Sequence, residues 1–244
     1  MRYGKYCYLI IIIVLLTVGV REIVRGATPE NNIISYIVDP KVQNIDFYWK
    51  DDKGDVIGSL ENLKLYVESQ DKKLLFAANG GMYNKEGFPQ GLFIQQYQTL
   101  TPLDTTSGQG NFYLKPNGVF YICSDDSPVI CRTEDFLNDG QVKFATQSGP
   151  MLVIDGELHS GFKKGSPNLH IRNGVGILPD NSIIFAMSKS KVNFYDFASY
   201  FKSLGCKNAL YLDGYVSRTY LPEKNWIQMD GNFSVIIGVT QSIQ

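Results

Sequence analysis

At 244 residues, 44% apolar and with 15 Tyr and 14 Phe, the chain has material for a sizeable hydrophobic core and is excluded from the disordered and fibrous classes. Its 23 basic and 24 acidic residues nearly cancel, and no basic stripe with interleaved aromatics occurs, which argues against nucleic acid as the main partner. The many tyrosines are read first as ordinary strand residues and only second as sugar-stacking ones.

The chain begins unlike its remainder. Arg2 and Lys5 precede an apolar run from Tyr6 to Val20, the pattern of an export signal or a short signal-anchor. The run is short for a membrane span of about 20 residues. Residues 1–26 are therefore expected to direct export. Val24-Arg25-Gly26 is permissive for cleavage near Ala27, whereas the charges at Arg21, Glu22 and Arg25 oppose it. The body would then be periplasmic or otherwise extracytoplasmic, membrane-held if the leader stays uncleaved.

From residue 31 to 244 no linker, low-complexity tract or repeat appears, so a single domain is expected. Short apolar runs between Gly, Pro, Asn and Asp clusters predict strands. They are Ile33 to Val38, Leu74 to Ala78, Gly91 to Gln95, Asn111 to Leu114 and Val119 to Cys123. Met151 to Ile154, Val175 to Leu178, Ile183 to Ala186, Ala209 to Leu212 and Phe233 to Val239 follow. Pro116-Asn117-Gly118 and Pro179-Asp180-Asn181 read as hairpin turns.

Two segments have helical spacing instead. Ser59 to Gln70 carries Leu60, Leu63, Tyr66 and Val67 behind a serine cap. In Asn193 to Leu204, Asn193 can cap, Asp196 holds the capping-box position, and Phe194, Phe197, Ala198 and Phe201 form one stripe before Gly205. The fold class is therefore α+β: one strand-rich domain with a mixed sheet and few helices, behind a hydrophobic leader.

Cys7 lies in the leader and Cys123, Cys131 and Cys206 in the body. An odd number cannot complete a disulfide framework. Cys123 and Cys131 bracket a turn-rich segment, and two readings stand: a bridge closed in an oxidising compartment, or two small core fillers. No spacing resembles a zinc site.

Four constellations could carry chemistry. Asn79-Gly80-Gly81 follows an apolar strand; paired glycines allow close backbone approach and N–H donors for an anion, with Asn79 adding an amide. It lacks the pattern of a P-loop or a dinucleotide fingerprint. Gln147-Ser148-Gly149-Pro150 is a second turn, where Gln147 and Ser148 read as hydrogen-bond donors; neither a Gly-x-Ser-x-Gly elbow nor a preceding histidine supports a serine hydrolase. In His170-Ile171-Arg172, the arginine suits planar recognition of phosphate or carboxylate, and His170 shares its face if the segment is extended. Asp213 ends an interior strand, with Gly214 and Ser217 following. A carboxylate there is seldom present for packing. Glu86 and Asp104 are candidate second carboxylates.

In this order the motifs resemble the phosphodiester glycosidase family. The matching pieces are Asn79-Gly80-Gly81-Met82-Tyr83, Gly91-Leu92-Phe93-Ile94, Asn111-Phe112-Tyr113 with Asn117-Gly118-Val119-Phe120, Gln147 to Val153, Arg172 with Gly174 to Ile177, and Ala209 to Ser217. The family pattern near the C-terminus usually reads Asp-Gly-Gly-x-Ser-Ser; here Tyr215 replaces a glycine and Arg218 a serine. The resemblance implies an α+β fold and hydrolysis of a sugar joined through its anomeric carbon to a phosphodiester. Asp213 would act at the anomeric centre, Arg172 and the Gly80-Gly81 backbone would hold phosphate, and Asn79, Gln147, Ser148 and Ser217 would orient the sugar. The implied partner is a phosphorylated or glycosylated envelope carbohydrate. Rival readings are a non-catalytic glycan-binding protein using the same cleft, and cleavage of the phosphorus–oxygen bond. No cofactor is required, although Asp213 with neighbouring carbonyls leaves calcium open.

Overall fold

The computed structural model describes residues 32–243; the expected leader, residues 1–26, lies outside them. The first strands are β1 (Ile33–Val38), β2 (Asn44–Tyr48), β3 (Lys72–Asn79), β4 (Phe93–Gln95) and β5 (Gln98–Thr101), with helix α1 (Leu60–Glu68) between β2 and β3. Next come β6 (Gly118–Cys123), β7 (Pro128–Arg132), β8 (Val142–Ser148), β9 (Met151–Ile154) and β10 (Glu157–Leu158). The remainder is β11 (Asn173–Ile177), β12 (Ile183–Ser188), α2 (Phe194–Ser203), β13 (Ala209–Asp213), β14 (Thr219–Leu221), β15 (Trp226–Ile227) and β16 (Ile236–Ser242).

Among the described residues these strands form three sheets. Their orders are β1-β12-β11-β13-β9-β10, β15-β14-β3-β16-β2 and β5-β4-β8-β6-β7. The α+β class holds. Every strand pairing in them is antiparallel, so the sheets are not mixed as expected. A trace of parallel logic survives. β11 is antiparallel to both β12 and β13, so β12 and β13 point the same way with β11 between them, joined by α2.

The helices form for the reasons their sequences suggest. Ser59 accepts the Asn62 N–H and caps α1, which buries Leu60, Leu63 and Val67. Asn193 accepts the Asp196 N–H at 2.8 Å and caps α2, whose buried Phe194, Phe197, Ala198 and Phe201 pack with Leu152, Val153 and Ala209. The Asp196 carboxylate returns to the Asn193 side-chain amide at 2.8 Å, a variant of the capping box.

Aromatic rings join the sheets. Phe76 of β3 stacks on Tyr36 of β1 at 4.9 Å and on Phe185 of β12 at 5.2 Å. Phe47 of β2 lies 5.4 Å from both Phe120 of β6 and Phe144 of β8, and Phe120 meets Phe185 edge-on at 6.0 Å. One core therefore anchors all three sheets, each ring contact adding about 1 kcal/mol beyond its burial.

Three expectations change. Asn111 to Leu114 is a short 3-10 turn (Asn111–Tyr113) because Phe112 alone is buried there and its carbonyl is held by the Asn117 amide at 3.0 Å. Pro116-Asn117-Gly118 is not a hairpin turn; it leads into β6, whose hairpin partner is β7. Phe233 precedes β16, making a lone bridge to Gly58. Pro179-Asp180-Asn181 does link the antiparallel β11 and β12, with Asn181 at φ 67°.

The β6–β7 register also decides the cysteines. Cys131 lies opposite Val119, four residues along β6 from Cys123, which is about 13 Å at strand rise. Bridging needs Cα atoms within roughly 7 Å. Cys123, Cys131 and Cys206 are all free. Alkylation of the protein under denaturing, non-reducing conditions should label Cys123, Cys131 and Cys206; a Cys123–Cys131 disulfide in the mass map would mean the register is wrong.

Candidate functional site

The three sheets end at one corner. β3 delivers Asn79, β13 delivers Asp213, β11 begins with Asn173, and β8 ends with Ser148; all four are buried. Asn173 sits opposite Asp213, where the β11–β13 register shifts. Its side-chain amide donates to the Asn79 backbone oxygen at 2.7 Å and side-chain oxygen at 3.1 Å. Its own Oδ1 accepts the Asp213 N–H at 2.8 Å. Asn79 donates to Asp213 Oδ2 at 3.3 Å and accepts the Arg218 N–H at 2.9 Å. Ser148 Oγ donates to the Leu212 carbonyl at 2.8 Å, tying the third sheet to the strand that carries Asp213.

Beyond β13 the chain turns sharply. Asp213 Oδ1 accepts the Tyr215 N–H at 2.9 Å, and Ser217 Oγ donates to the Asp213 carbonyl at 2.9 Å. Gly214 is obligatory because a Cβ there would overlap the Tyr211 hydroxyl. Burial drives the Asp213 pKa up to about 6, opposed by the amides of Tyr215, Gly214 and Val216 and by the Asn79 side chain. Desolvation outweighs its hydrogen bonds, so the charged form of the carboxylate is disfavoured. Tyr83 joins it: its phenol pKa is raised by burial and then by nearby Asp213 and Tyr215. Tyr215 itself is 95% exposed.

Arg172 is placed differently from the sequence expectation. It is fully buried, its guanidinium 3.6 Å from the Phe194 ring centre. Nε donates to Val192 O at 2.9 Å. Nη2 donates to Asn168 O at 3.0 Å and Oδ1 at 3.1 Å, and Nη1 to the Tyr211 hydroxyl at 3.3 Å. Burial lowers its pKa while Tyr211 raises it, and a guanidinium stays charged. Enclosed in this way it cannot grip an external phosphate directly. It braces Tyr211, over which the Asp213 turn passes.

Other expected residues divide similarly. Gly80 donates its N–H to Val235 O at 2.8 Å, and a Cβ there would lie 2.6 Å from Ile237 Cγ1. That glycine serves close packing, and its amide is not free for an anion. The buried Gly81 is also closely packed, a Cβ there lying 2.7 Å from Thr146 Oγ1. Gln147 accepts the Leu92 N–H at 3.0 Å and the Asp104 N–H at 2.9 Å. It donates to Asp104 O at 2.7 Å and Thr133 Oγ1 at 3.2 Å. With its amide so occupied it fastens the Asp104 loop. The Asp104 carboxylate is engaged by Thr106 and by Tyr113 at 3.0 Å, and Glu86 is exposed. His170 is exposed and bridges Val192 through its backbone, whereas His159 is buried with Nε2 3.0 Å from the Lys115 carbonyl.

Arg218, the second departure from the family pattern, turns its guanidinium onto Asp230 at 2.7 and 2.8 Å. Its Nη1 also donates to the Ser217 carbonyl at 3.0 Å, and its backbone N–H reaches Asn79. Among the described residues no three His, Cys, Asp or Glu side chains gather, so calcium at Asp213 would draw its other ligands from carbonyls and water. Sequence reading did not single out Asn173, Tyr83 or Tyr211 as site residues. All three stand within or beside the motifs that carry the resemblance, but nothing local to them signals which partners they meet.

Comparison with known proteins agrees with this architecture. The phosphodiester glycosidase family model matches residues 72–238, and the chain belongs to that family. An uncharacterised Escherichia coli (strain K12) protein, YigE, is 36% identical over 194 residues, covering 79% of this chain and 76% of that one. Among solved structures, the zebrafish N-acetylglucosamine-1-phosphodiester alpha-N-acetylglucosaminidase catalytic domain, auto-inhibited by its pro-peptide, superposes with TM-score 0.57 at 16% identity. That match covers 88% of this chain and 84% of the zebrafish one. A presumed exported protein of Burkholderia pseudomallei K96243 superposes with TM-score 0.51 at 10% identity, covering 85% and 73%. At such identities the structures establish a shared fold.

Two predictions follow from the corner's electrostatics. Between the ordinary carboxylate pKa and about 6, folded Asp213 keeps a proton that the unfolded chain has released, so its contribution to stability falls as pH rises through about 4 to 6. Relative to Asp213→Asn, the wild type should lose up to roughly 3 kcal/mol across that window and nothing beyond it. Parallel melting profiles from pH 4 to 8 would show an unperturbed carboxylate. Arg172→Lys cannot satisfy the same set of acceptors and should destabilise the fold by roughly 3 kcal/mol, read by urea denaturation; unchanged stability would place the arginine outside the core.

Proposed function

We propose that the chain hydrolyses a sugar-1-phosphodiester of the cell envelope, with Asp213 as the reacting carboxylate. The observation that carries this reading is a buried carboxylate of raised pKa, fixed where the three sheets end, in a chain of the phosphodiester glycosidase family. Phosphate is a good leaving group and needs little protonation, so the reaction asks chiefly for help at the anomeric carbon. Ionised Asp213 supplies it, either by activating water or by stabilising the positive charge that develops on the sugar. Asn79, Asn173, Ser148 and Ser217 hold the carboxylate and its strand, and the amides of the turn after Asp213 are bonded to it, while the Tyr83 phenol is the nearby group suited to meet ligand oxygens. Arg172 acts at one remove, through Tyr211. The apolar leader supports export of the body and placement beside envelope carbohydrate.

A binding role without turnover has one observation in its favour: among the described residues, Asp213 is the one carboxylate in the corner's hydrogen bonds, whereas glycosidases commonly use two. Turnover of α-glucosyl and α-N-acetylglucosaminyl phosphate methyl esters in ¹⁸O-water separates the readings. Label in the sugar is expected; label in phosphate means phosphorus–oxygen cleavage, and bound but unreacted ester means a binding protein. The value of kcat/KM should rise with pH through about 6 and level off, because the ionised carboxylate is the active form. Asp213→Asn should cost several orders of magnitude in turnover.

A further inference from the structure

A single exposed aromatic on a protein surface is ordinary, and Tyr215 would be unremarked but for its position. It is 95% exposed, the most exposed large apolar side chain among the described residues. Its backbone N–H is bonded to Asp213 Oδ1 at 2.9 Å, so its ring stands on the turn that holds the reacting carboxylate. Tyr83, half-buried, is close enough to be influenced by both Asp213 and Tyr215. Ser217 on the far side is tied to Asp213 O at 2.9 Å and Ile171 O at 3.3 Å, which limits how far the turn can shift. The neighbouring departure, Arg218, pairs with Asp230 and donates from Nη1 to the Ser217 carbonyl at 3.0 Å, a further tie on the turn that carries Tyr215.

We infer that Tyr215 is a specificity-determining platform on which the sugar ring of the substrate stacks, with Tyr83 as the polar neighbour beside Asp213. The inference rests on the proposed reaction at Asp213 and deepens it by naming the substrate class: a pyranose whose flat C–H face can lie on a phenol ring. An aromatic face matches such axial C–H bonds, and the ring replaces water that would otherwise cover both surfaces. The glycine usual in the family pattern at this position has no side chain to offer this contact, so the platform is a feature of this chain. Because the side chain is in solvent and its turn is held by backbone bonds, replacing it leaves the fold and Asp213 in place.

The test compares wild type, Tyr215→Phe and Tyr215→Ala on α-glucosyl phosphate methyl ester, with the ring-less glycerol phosphate methyl ester as control. Equilibrium binding is followed by ligand-observed NMR and turnover by sugar release. Tyr215→Ala is expected to raise KM and Kd for the glucosyl ester about tenfold, with kcat within about twofold and the melting temperature unchanged. Tyr215→Phe should match wild type, and glycerol phosphate ester binding should be equal in all three. Glucosyl ester that binds wild type without turnover, yet weakens in Tyr215→Ala, supports the platform while ending the hydrolase reading. Equal glucosyl ester affinity in wild type and Tyr215→Ala, an equal loss for the ring-less ester, or no binding to wild type overturns the platform.

Discussion

The structure depends on one buried amide knot. Asn79, Asn173 and Asp213 come from three strands of two sheets, and each uses its side chain to satisfy another's backbone or side chain. Each such bond contributes about 1 kcal/mol when made, and a partner left unsatisfied in the interior costs about 1–3 kcal/mol. Slipping β11 by one residue would reverse its faces and take Asn173 out of the knot. The knot therefore sets register as much as it stabilises, and register is what brings Asp213 opposite Asn173.

Asp213 bears the consequence. Among the described residues it accepts one side-chain bond, 3.3 Å from Asn79, and turn amides on its other side. Those partners do not offset the loss of water around a buried carboxylate, and its proton affinity rises accordingly. Rigid surroundings are what keep it from escaping to solvent. The aromatic core behind the sheets and the stacked pair Arg172–Phe194 supply that rigidity from two directions.

Arg172 illustrates how a buried cation can be stable without a carboxylate. Two carbonyls, an amide oxygen, a phenol and a ring face share its charge. Three separate stretches, around Asn168, Val192 and Tyr211, are fastened by one side chain. Its influence on the corner passes through Tyr211, whose hydroxyl leaves room only for glycine at position 214.

Local patterning decided much of this protein. The helix caps at Ser59 and Asn193, strands such as Ile33–Val38 and Met151–Ile154, and the placement of Asp213 at a strand end depend on neighbours within a few residues, so they are readable in the sequence. β2 and β8 went unseen because polar residues, Asp46 and Lys143 among them, break the apolar runs that mark strands, and partners distant in sequence stabilise them. The same locality limits what the sequence says of the site. Arg172 reads as a phosphate clamp until tertiary packing encloses it, and Gly80 reads as an anion nest until Val235 takes its amide. Cys123 and Cys131 look pairable across a turn until the register sets Cys131 against Val119. Which residue types gather at the corner was written along the chain; which of their atoms are taken up in bonds was decided only when three sheets, distant in sequence, closed on one another.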